Sequence, residues 1–159
     1  MLTRIFVNVI ATPGILQAGF LHVGAVPARR VAAALDQLLH PRLGPGRPDE
    51  PLCLGVAASP GAATGRVVLD PDRAVELAAR NERVLLVRPE TTPEDIHGMA
   101  AAQGILTGHG GKTSHAAVVA RGMGKCCVAG AGAIGIDYQK KVMVAGGKKI
   151  KAGDWISLN

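Results

Sequence analysis

The residues best suited to chemistry lie in one stretch, residues 107–129, with the sequence TGHGGKTSHAAVVARGMGKCCVA. The pattern predicts the end of a strand, a glycine-rich loop over 108–113 and a helix that begins at Ser114, with His115 in its first turn. Unpaired backbone N–H groups and the positive end of the helix dipole favour an anion there. A neutral imidazole at that position can attack a phosphoryl group and carry it as phosphohistidine.

Four neighbours of His115 have the chemistry to hold a phosphate. Gly110 and Gly111 allow the backbone to approach the anion closely, and the hydroxyls of Thr113 and Ser114 can donate hydrogen bonds to it. The same hydroxyls can instead cap the helix, and the two roles are compatible. The competing interpretation of His115 is a capping or surface residue, which is the more frequent role of a histidine at a helix start.

The other histidines and one arginine have simpler interpretations. His109, in the same glycine loop, is predicted to face solvent. His22, His40 and His97 have no polar companions in the sequence and are interpreted as surface or packing residues. Arg121 lies near the last turn of the predicted helix, where a positive charge favours the negative helix end. The alternative role of Arg121 is docking against an anionic partner.

Two nucleotide-binding patterns fail on their spacing or context. GHGGKT (108–113) resembles the end of a Walker A loop, but that loop needs a glycine where this chain has Leu106. Residues 130–135 (GAGAIG) fit the spacing GxGxxG, but Asp137 and a lysine-rich hairpin follow where a dinucleotide site needs a helix. We therefore predict neither of these sites.

Composition limits the class of protein. The chain has 159 residues, 48% of them hydrophobic and 19% charged, which is enough for one ordinary domain with a core. Its four aromatic residues are too few to stack the bases of single-stranded nucleic acid. The net charge of +6 includes five lysines within residues 140–151, which we interpret as solvent-facing strands.

The three cysteines and the apolar N-terminal stretch indicate the cellular compartment of the protein. Cys53, Cys126 and Cys127 have neither a disulfide-framework nor a zinc-binding spacing. They are predicted to be buried, reduced thiols, with the adjacent pair on opposite faces of a strand, in a reducing, cytoplasmic compartment. The apolar stretch over 5–26 is interrupted by polar residues, proline and glycine, so it predicts no membrane span and no clean secretory signal.

Strands and helices alternate from Leu52 onward, which predicts an α/β domain with an added antiparallel part. Before that point, residues 1–28 lack periodicity, residues 29–40 predict a short helix, and residues 41–51 form a linker rich in proline and glycine. Strands are predicted over 65–69, 83–88, 103–107 and 126–129, helices over 70–81, 92–102 and 114–123, and a hairpin over 140–145 and 149–158.

Several segments resemble a known family. The sequence GGKTSHAAVVARGMGKCC (110–127) resembles the phosphohistidine signature of the phosphoenolpyruvate-utilising enzymes, and more closely that of the pyruvate, phosphate dikinase family. Four further segments resemble the same family, namely LDQLLHP (35–41), GVAASPGAATGRVV (55–68), LLVRPETTPEDIHGMAAAQGILT (85–107) and IKAGDWISLN (150–159). The resemblance therefore extends over roughly residues 35–159.

The resemblance implies a swivelling β/β/α phosphohistidine domain over residues 52–159, after a short helix and linker over 35–51 and an unassigned segment over 1–34. It implies that His115 carries the phosphoryl group and that Thr113 matches a threonine that is reversibly phosphorylated in plant members. The family reaction interconverts ATP, phosphate and pyruvate with AMP, pyrophosphate and phosphoenolpyruvate. The complete enzyme needs magnesium, an ATP-grasp nucleotide domain and a barrel that binds phosphoenolpyruvate or pyruvate.

The size of the chain departs from that family. Neither partner domain fits within 159 residues, and the sequence stops one strand short of the family pattern after GDWISLN. We therefore expect a carrier domain without a cofactor or metal of its own, which does not catalyse the full reaction alone. An unpaired strand edge is expected to favour a homodimer. Nucleic acid and membrane are not expected partners, and the alternative function is a non-catalytic, truncated or regulatory module that retains the fold.

Overall fold

The computed structural model describes residues 5–9 and 51–159. The predicted helix over 29–40, residues 41–50 of the predicted linker, and the histidines His22 and His40 lie outside the described residues. Within the described residues, strands and helices alternate, and a three-stranded antiparallel sheet follows them in the sequence. The prediction of an α/β domain with an added antiparallel part is therefore confirmed.

Six strands come first in the described chain, and the last four of them alternate with helices. These strands are β1 (Ile5–Val9), β2 (Cys53–Ser59), β3 (Ala63–Val68), β4 (Val84–Arg88), β5 (Gly104–Thr107) and β6 (Cys126–Ala129). The helices are α1 (Pro71–Ala79), α2 (Ile96–Ala101, after a 3-10 turn at Pro93–Asp95) and α3 (His115–Gly122). The last strands are β7 (Gly135–Asp137), β8 (Val142–Ala145), β9 (Lys148–Lys151) and β10 (Trp155–Leu158).

Polar residues mark the starts of the helical segments that the sequence predicts over 70–81, 92–102 and 114–123. The Asp70 carboxylate accepts a hydrogen bond from the Arg73 backbone N–H at 2.9 Å at the start of α1. Thr92 precedes the turn that leads into α2, and Ser114 caps α3. Short polar side chains satisfy backbone N–H groups that have no partner within the helix. Within the described ranges, none of the helices is long and apolar enough to cross a lipid bilayer.

Seven strands curl into a closed barrel in the order β1-β10-β3-β4-β5-β6-β2. The neighbours β3, β4, β5 and β6 run parallel to one another, whereas β10 and β2 pair antiparallel at the two sides of this group. The strands β7, β8 and β9 form the separate antiparallel sheet. The helices α1, α2 and α3 are the connections that carry the chain from one parallel strand to the next.

Two hydrophobic clusters form the core on opposite faces of the parallel strands. Leu85 and Val87 of β4 belong to one cluster, together with Met143 and Ile150 from the antiparallel sheet. The alternate residues of β4 belong to the other cluster, together with buried side chains of the three helices. Because successive side chains of a strand point to opposite faces, a strand buried on both faces has a continuous apolar sequence. VLLVR in β4 is such a sequence.

The strand predicted over 149–158 is divided in two. A turn interrupts it after Lys151, with Gly153 at φ 98° and the Asp154 carboxylate accepting a hydrogen bond from the Lys151 N–H at 2.8 Å. As a result β9 stays with β8 in the hairpin, whereas β10 enters the barrel beside β3. The strands β2 and β7 were not predicted, because their sequences mix small, polar and glycine residues without a clear alternation. The strand β1 was not predicted, because it lies within the apolar stretch over 5–26, which lacks periodicity.

The strand β1 lies in the segment that the sequence left unassigned. It pairs parallel with β10 on one side, where Ile5 lies opposite Ile156, and parallel with β2 on the other, where Val7 lies opposite Cys53. The expected unpaired edge beside β10 is therefore wrong, because backbone groups of β1 occupy it. The homodimer stays a prediction, and this edge no longer supports it.

The two adjacent cysteines lie on opposite faces of β6, as predicted. Cys126 belongs to the cluster with Leu85, and Cys127 to the cluster beside the helices. All three cysteines are buried and free. Burial disfavours the thiolate and raises the pKa of Cys126 and of Cys127 from the ordinary 9.0 to about 12.

We expect these two thiols to be unreactive in the folded chain. Because the thiolate is the nucleophile, alkylation by iodoacetamide at pH 8 should be at least about a hundredfold slower in the native chain than in urea. The unfolded thiols lose protons first, so folding stability should fall as the pH rises from 9.0 toward about 12. Mass spectrometry of the alkylated peptides measures the rates, and equal rates with and without urea would contradict the burial of the pair.

Candidate functional site

His115 is the first residue of α3, as the sequence predicts. The helix begins there because the Ser114 hydroxyl accepts a hydrogen bond from the Ala117 backbone N–H at 3.4 Å, and Ser114 itself has extended backbone angles. The Ser114 N–H donates to the Gly111 carbonyl at 3.1 Å, which closes the glycine loop onto the helix start. The helix therefore presents its N-terminal backbone N–H groups beside His115.

The site lies at the carboxyl ends of three neighbouring parallel strands. The strands β4, β5 and β6 end at Arg88, Thr107 and Ala129, and the three loops that follow are joined by backbone hydrogen bonds. His109 N–H donates to the Pro89 carbonyl at 2.8 Å, and Ala131 N–H donates to the Thr107 carbonyl at 3.0 Å. The carboxyl ends of parallel strands are the usual place for a ligand in α/β proteins.

The glycine loop is tightly packed at one of its two predicted glycines. Gly110 has φ 99°, and a Cβ there would lie 2.8 Å from the Ser114 Cβ, so this position requires glycine. Gly111 has open space around it. The Thr107 hydroxyl, fully buried at the end of β5, donates to the His109 carbonyl at 2.8 Å and fixes the start of the loop.

The His115 imidazole has a buried nitrogen without a partner. Among the described residues, His115 Nε2 makes no hydrogen bond although solvent does not reach it, and the same is true of Thr91 Oγ1 in the loop after β4. An unpaired buried polar atom costs free energy, and such atoms are rare in folded proteins. A ligand bound at the helix N-terminus would supply the partner that Nε2 lacks.

Glu94 brings a negative charge near His115. The pKa of the Glu94 carboxyl lies below its usual range, first because of a side-chain hydrogen bond from Thr92, second because of a hydrogen bond from its own backbone N–H, and last, as the smallest cause, because of His115. From the sequence, Glu94 is only one residue of the helix predicted over 92–102. The missing signal was topological, since the loops after adjacent parallel strands meet at one edge of the sheet.

The loop after β6 also belongs to the site. A Cβ on Gly130, which has φ 65°, would lie 2.5 Å from the Gly110 carbonyl oxygen, so the two loops touch at their backbones. In the sequence, Gly130 stands out only as the first glycine of the GxGxxG spacing. The structure gives it a different role, which is to support the glycine loop beside His115.

Four other polar side chains that the sequence singles out take no part in the contact between the glycine loop and the loop after β6. Thr113 and His109 are exposed, which confirms the prediction for His109. His97 is exposed, which confirms its interpretation as a surface residue, but it does have a polar companion, because its Nε2 lies 2.8 Å from Asp72 Oδ1. Arg121 donates to the Ala117 carbonyl at 3.1 Å and is exposed near the end of α3.

The charged surface lies elsewhere on the molecule. All five lysines within 140–151 are exposed, which confirms their interpretation as solvent-facing residues.

A cavity of about 730 Å³ lies between β3, α1 and the turns that contain Tyr138 and Gly153, and His115 does not line it. Over residues 5–9 and 51–159, no group of three or more histidine, cysteine, aspartate or glutamate side chains is arranged to hold a metal ion.

Comparison with known proteins identifies relatives of the chain. Residues 80–159 match the family described as the PEP-utilising enzyme, mobile domain. Pyruvate, phosphate dikinase of Rhizobium meliloti is 48% identical over 143 residues, which are 90% of this chain and 16% of that protein. The proteins of the same name from Entamoeba histolytica and Clostridium symbiosum are 54% and 53% identical, over 79% and 80% of this chain and 14% and 15% of their own length.

The match contains the site. Residues 80–159 include β4 to β10, His115 and the three loops that meet beside it. The chain spans about 14–16% of the length of these curated relatives. Because the family match covers half of the 159 residues and the whole site, the chain belongs to the family of the PEP-utilising enzyme mobile domain.

Proposed function

We propose that this chain is the phosphoryl-carrier domain of a phosphotransferase of the pyruvate, phosphate dikinase type, and that His115 carries the phosphoryl group. The observation that supports this most directly is His115 Nε2, a buried nitrogen without a partner among the described residues, in the first turn of α3. With its proton on Nδ1, the imidazole has a lone pair on Nε2 that can attack phosphorus. The helix N-terminus offers backbone N–H groups to the phosphoryl oxygens.

In each direction of the proposed phosphoryl transfer, one bond to phosphorus forms as another breaks. From phosphoenolpyruvate, the Nε2 lone pair forms the N–P bond while the bond between phosphorus and the enol oxygen breaks. The enolate leaves with that electron pair and becomes pyruvate when its carbon takes a proton. In the reverse transfer the enolate oxygen of pyruvate forms a bond to phosphorus while the N–P bond breaks, and the electron pair of that bond returns to Nε2, so phosphoenolpyruvate is formed again. Imidazole suits both transfers because it is a nucleophile and a leaving group.

The residues around His115 have supporting roles in this proposal. Gly110 holds the loop in a conformation that aims its backbone at the phosphate, and Gly111 leaves open space for it. The Ser114 hydroxyl caps the helix that binds the anion. Thr113 is exposed two residues before His115, so a phosphate on Thr113 would repel an incoming phosphoryl group and act as an off switch.

The proposal requires partner domains that these 159 residues do not contain. The relatives are about six to seven times longer than the matched segment, which leaves room in them for an ATP-grasp domain and a barrel for phosphoenolpyruvate. A carrier that serves two such sites must swivel between them. Magnesium would be held by those partners and supplies charge neutralisation to the phosphates. The three buried, free cysteines suit a reducing compartment such as the cytoplasm.

The experiment that tests this proposal is phosphoryl transfer to the chain itself. The chain is mixed with magnesium, phosphoenolpyruvate labelled with radioactive phosphorus, and the isolated barrel domain of the Clostridium symbiosum relative. We expect label on the chain that is stable in base and labile in acid, which is the behaviour of a phosphoramidate, and a phosphopeptide that contains His115. A folded chain that takes no label would refute the carrier function and favour the non-catalytic module.

A further inference from the structure

Arg88 joins four parts of the molecule at the carboxyl end of β4. Its Nη2 lies 3.3 Å from Asp95 Oδ1, and its Nε donates to Asp95 Oδ2, also at 3.3 Å. Its Nη1 donates to the Leu69 carbonyl at 3.3 Å and to the Tyr138 hydroxyl at 3.1 Å. The guanidinium therefore contacts both carboxylate oxygens of Asp95 at once, an arrangement that a lysine cannot reproduce.

Asp95 is a buried charge that depends on this contact. Its side chain is 3% exposed, whereas the side chain of Arg88 is 23% exposed. Asp95 Oδ2 also accepts a hydrogen bond from the Thr92 backbone N–H at 2.9 Å. A buried carboxylate that loses its partner is strongly destabilised, so the conformation of residues 89–95 depends on Arg88.

The same segment forms a wall of the site. Gly108 N–H donates to the Arg88 carbonyl at 3.1 Å, and His109 N–H donates to the Pro89 carbonyl at 2.8 Å, so the segment is bound to the glycine loop. It also contains Glu94, whose pKa is lowered in small part by His115. Thr91 lies in the same segment, and its hydroxyl is buried and unpaired among the described residues. A displacement of residues 89–95 would therefore reach His115 through the glycine loop.

We infer that the Arg88–Asp95 pair is a positioning device that holds residues 89–95 against the glycine loop and thereby sets how fast His115 accepts a phosphoryl group. The effect on rate rests on the proposed function. The effect on the loop does not, because it follows from hydrogen bonds of the unphosphorylated chain. Neither residue is proposed to touch the phosphate.

Arg66 provides a matched control for Arg88. It too forms an ion pair with a carboxylate, with its Nε 2.9 Å from Glu82 Oε2, and its Nη1 donates to a backbone carbonyl, that of Gly153, at 3.3 Å. Each guanidinium also lies 5.7 Å from the centre of an aromatic ring, Trp155 for Arg66 and Tyr138 for Arg88. Arg66 lies opposite Val84, at the far end of β4 from the site.

The test compares Arg88→Ala with Arg66→Ala in two measurements. Amide hydrogen exchange reports the N–H groups of Thr92 and His109, and both should exchange about tenfold faster or more in Arg88→Ala. Initial rates of labelling from phosphoenolpyruvate should fall by about tenfold or more in the same variant and recover when guanidinium chloride, but not equimolar sodium chloride, is added. Arg66→Ala should change neither measurement, although it removes the same kinds of contact.

The outcomes separate this inference from the proposed function. Unchanged exchange at His109 in Arg88→Ala, or equal effects of the two alanine variants, would overturn the inference. If Arg88→Ala does not fold, Arg88→Lys replaces it; a full labelling rate in that variant would overturn the inference, because lysine retains the charge without the two-oxygen contact. If the wild-type chain takes no label, the carrier function fails, and the exchange at Thr92 and His109 alone decides whether the pair holds the loop.

Discussion

A chain with glutamine in place of His115 is expected to take no acid-labile phosphate. Glutamine has no nitrogen lone pair that can attack phosphorus, so the expected loss is complete rather than partial. The fold should persist, because Nε2 makes no hydrogen bond among the described residues and α3 keeps its Ser114 cap. We expect a change in the free energy of unfolding within about 1 kcal/mol. Labelling from phosphoenolpyruvate and urea denaturation measure the two quantities.

His109→Gln is the matched control for this substitution. His109 lies in the same glycine loop, but its side chain is exposed, and the contacts that fix the loop are made by its backbone N–H and carbonyl. The backbone contacts remain in this variant, so labelling should continue at the wild-type rate. Label that disappears with His109→Gln and persists with His115→Gln would show that His109, and not His115, carries the phosphoryl group.

Gly130→Ala is expected to slow labelling by about tenfold or more and to destabilise the fold by about 1–3 kcal/mol. The added Cβ would lie 2.5 Å from the Gly110 carbonyl oxygen, and the backbone at Gly130 has φ 65°, which alanine adopts only with strain. The glycine loop must move away, and it carries the start of α3 with it. Initial labelling rates and urea denaturation measure the two effects.

Gly132→Ala tests whether the effect is specific to the contact. Gly132 lies two residues further along the same loop, is exposed, has no atom within 4 Å of a Cβ built on it, and is not among the glycines with positive φ. We therefore expect its replacement to change neither the rate nor the stability. Similar losses in both variants would show that the loop after β6 tolerates no side chain at all and that the contact with Gly110 is not the cause.

Local signals account for the elements that were predicted from the sequence. The helix that begins at His115 follows from a serine cap and a helical apolar spacing, and β4 follows from a run of apolar residues. The strand β1 was not predicted in this way, because its five residues lie within a longer apolar stretch over 5–26 that lacks periodicity. Its partners β10 and β2 are about 150 and 45 residues away along the chain.

The sequence predicts only the part of the site that depends on local signals. The position of His115 depends on the residues next to it, and the structure places it at the helix start as predicted. The contribution of Gly130 depends on a contact between loops that follow different strands, and so does the nearness of Glu94 to His115. No local pattern encodes such contacts. The phosphoryl-carrier role of His115 stays a prediction until the labelling experiment is done.

The pairing of β1 with β10 has a consequence for how the chain folds during synthesis. Ile5 lies beside Ile156, so the barrel cannot close until the ribosome has added about 150 further residues. At about 5–20 residues per second, that interval lasts about 8–30 s. During it, β1 has no β10 to pair with, and β3 lacks its antiparallel neighbour. The nascent chain therefore exposes one open edge of β1 throughout that interval, and one open edge of β3 from the synthesis of β3 onward, and chaperones protect such edges against aggregation.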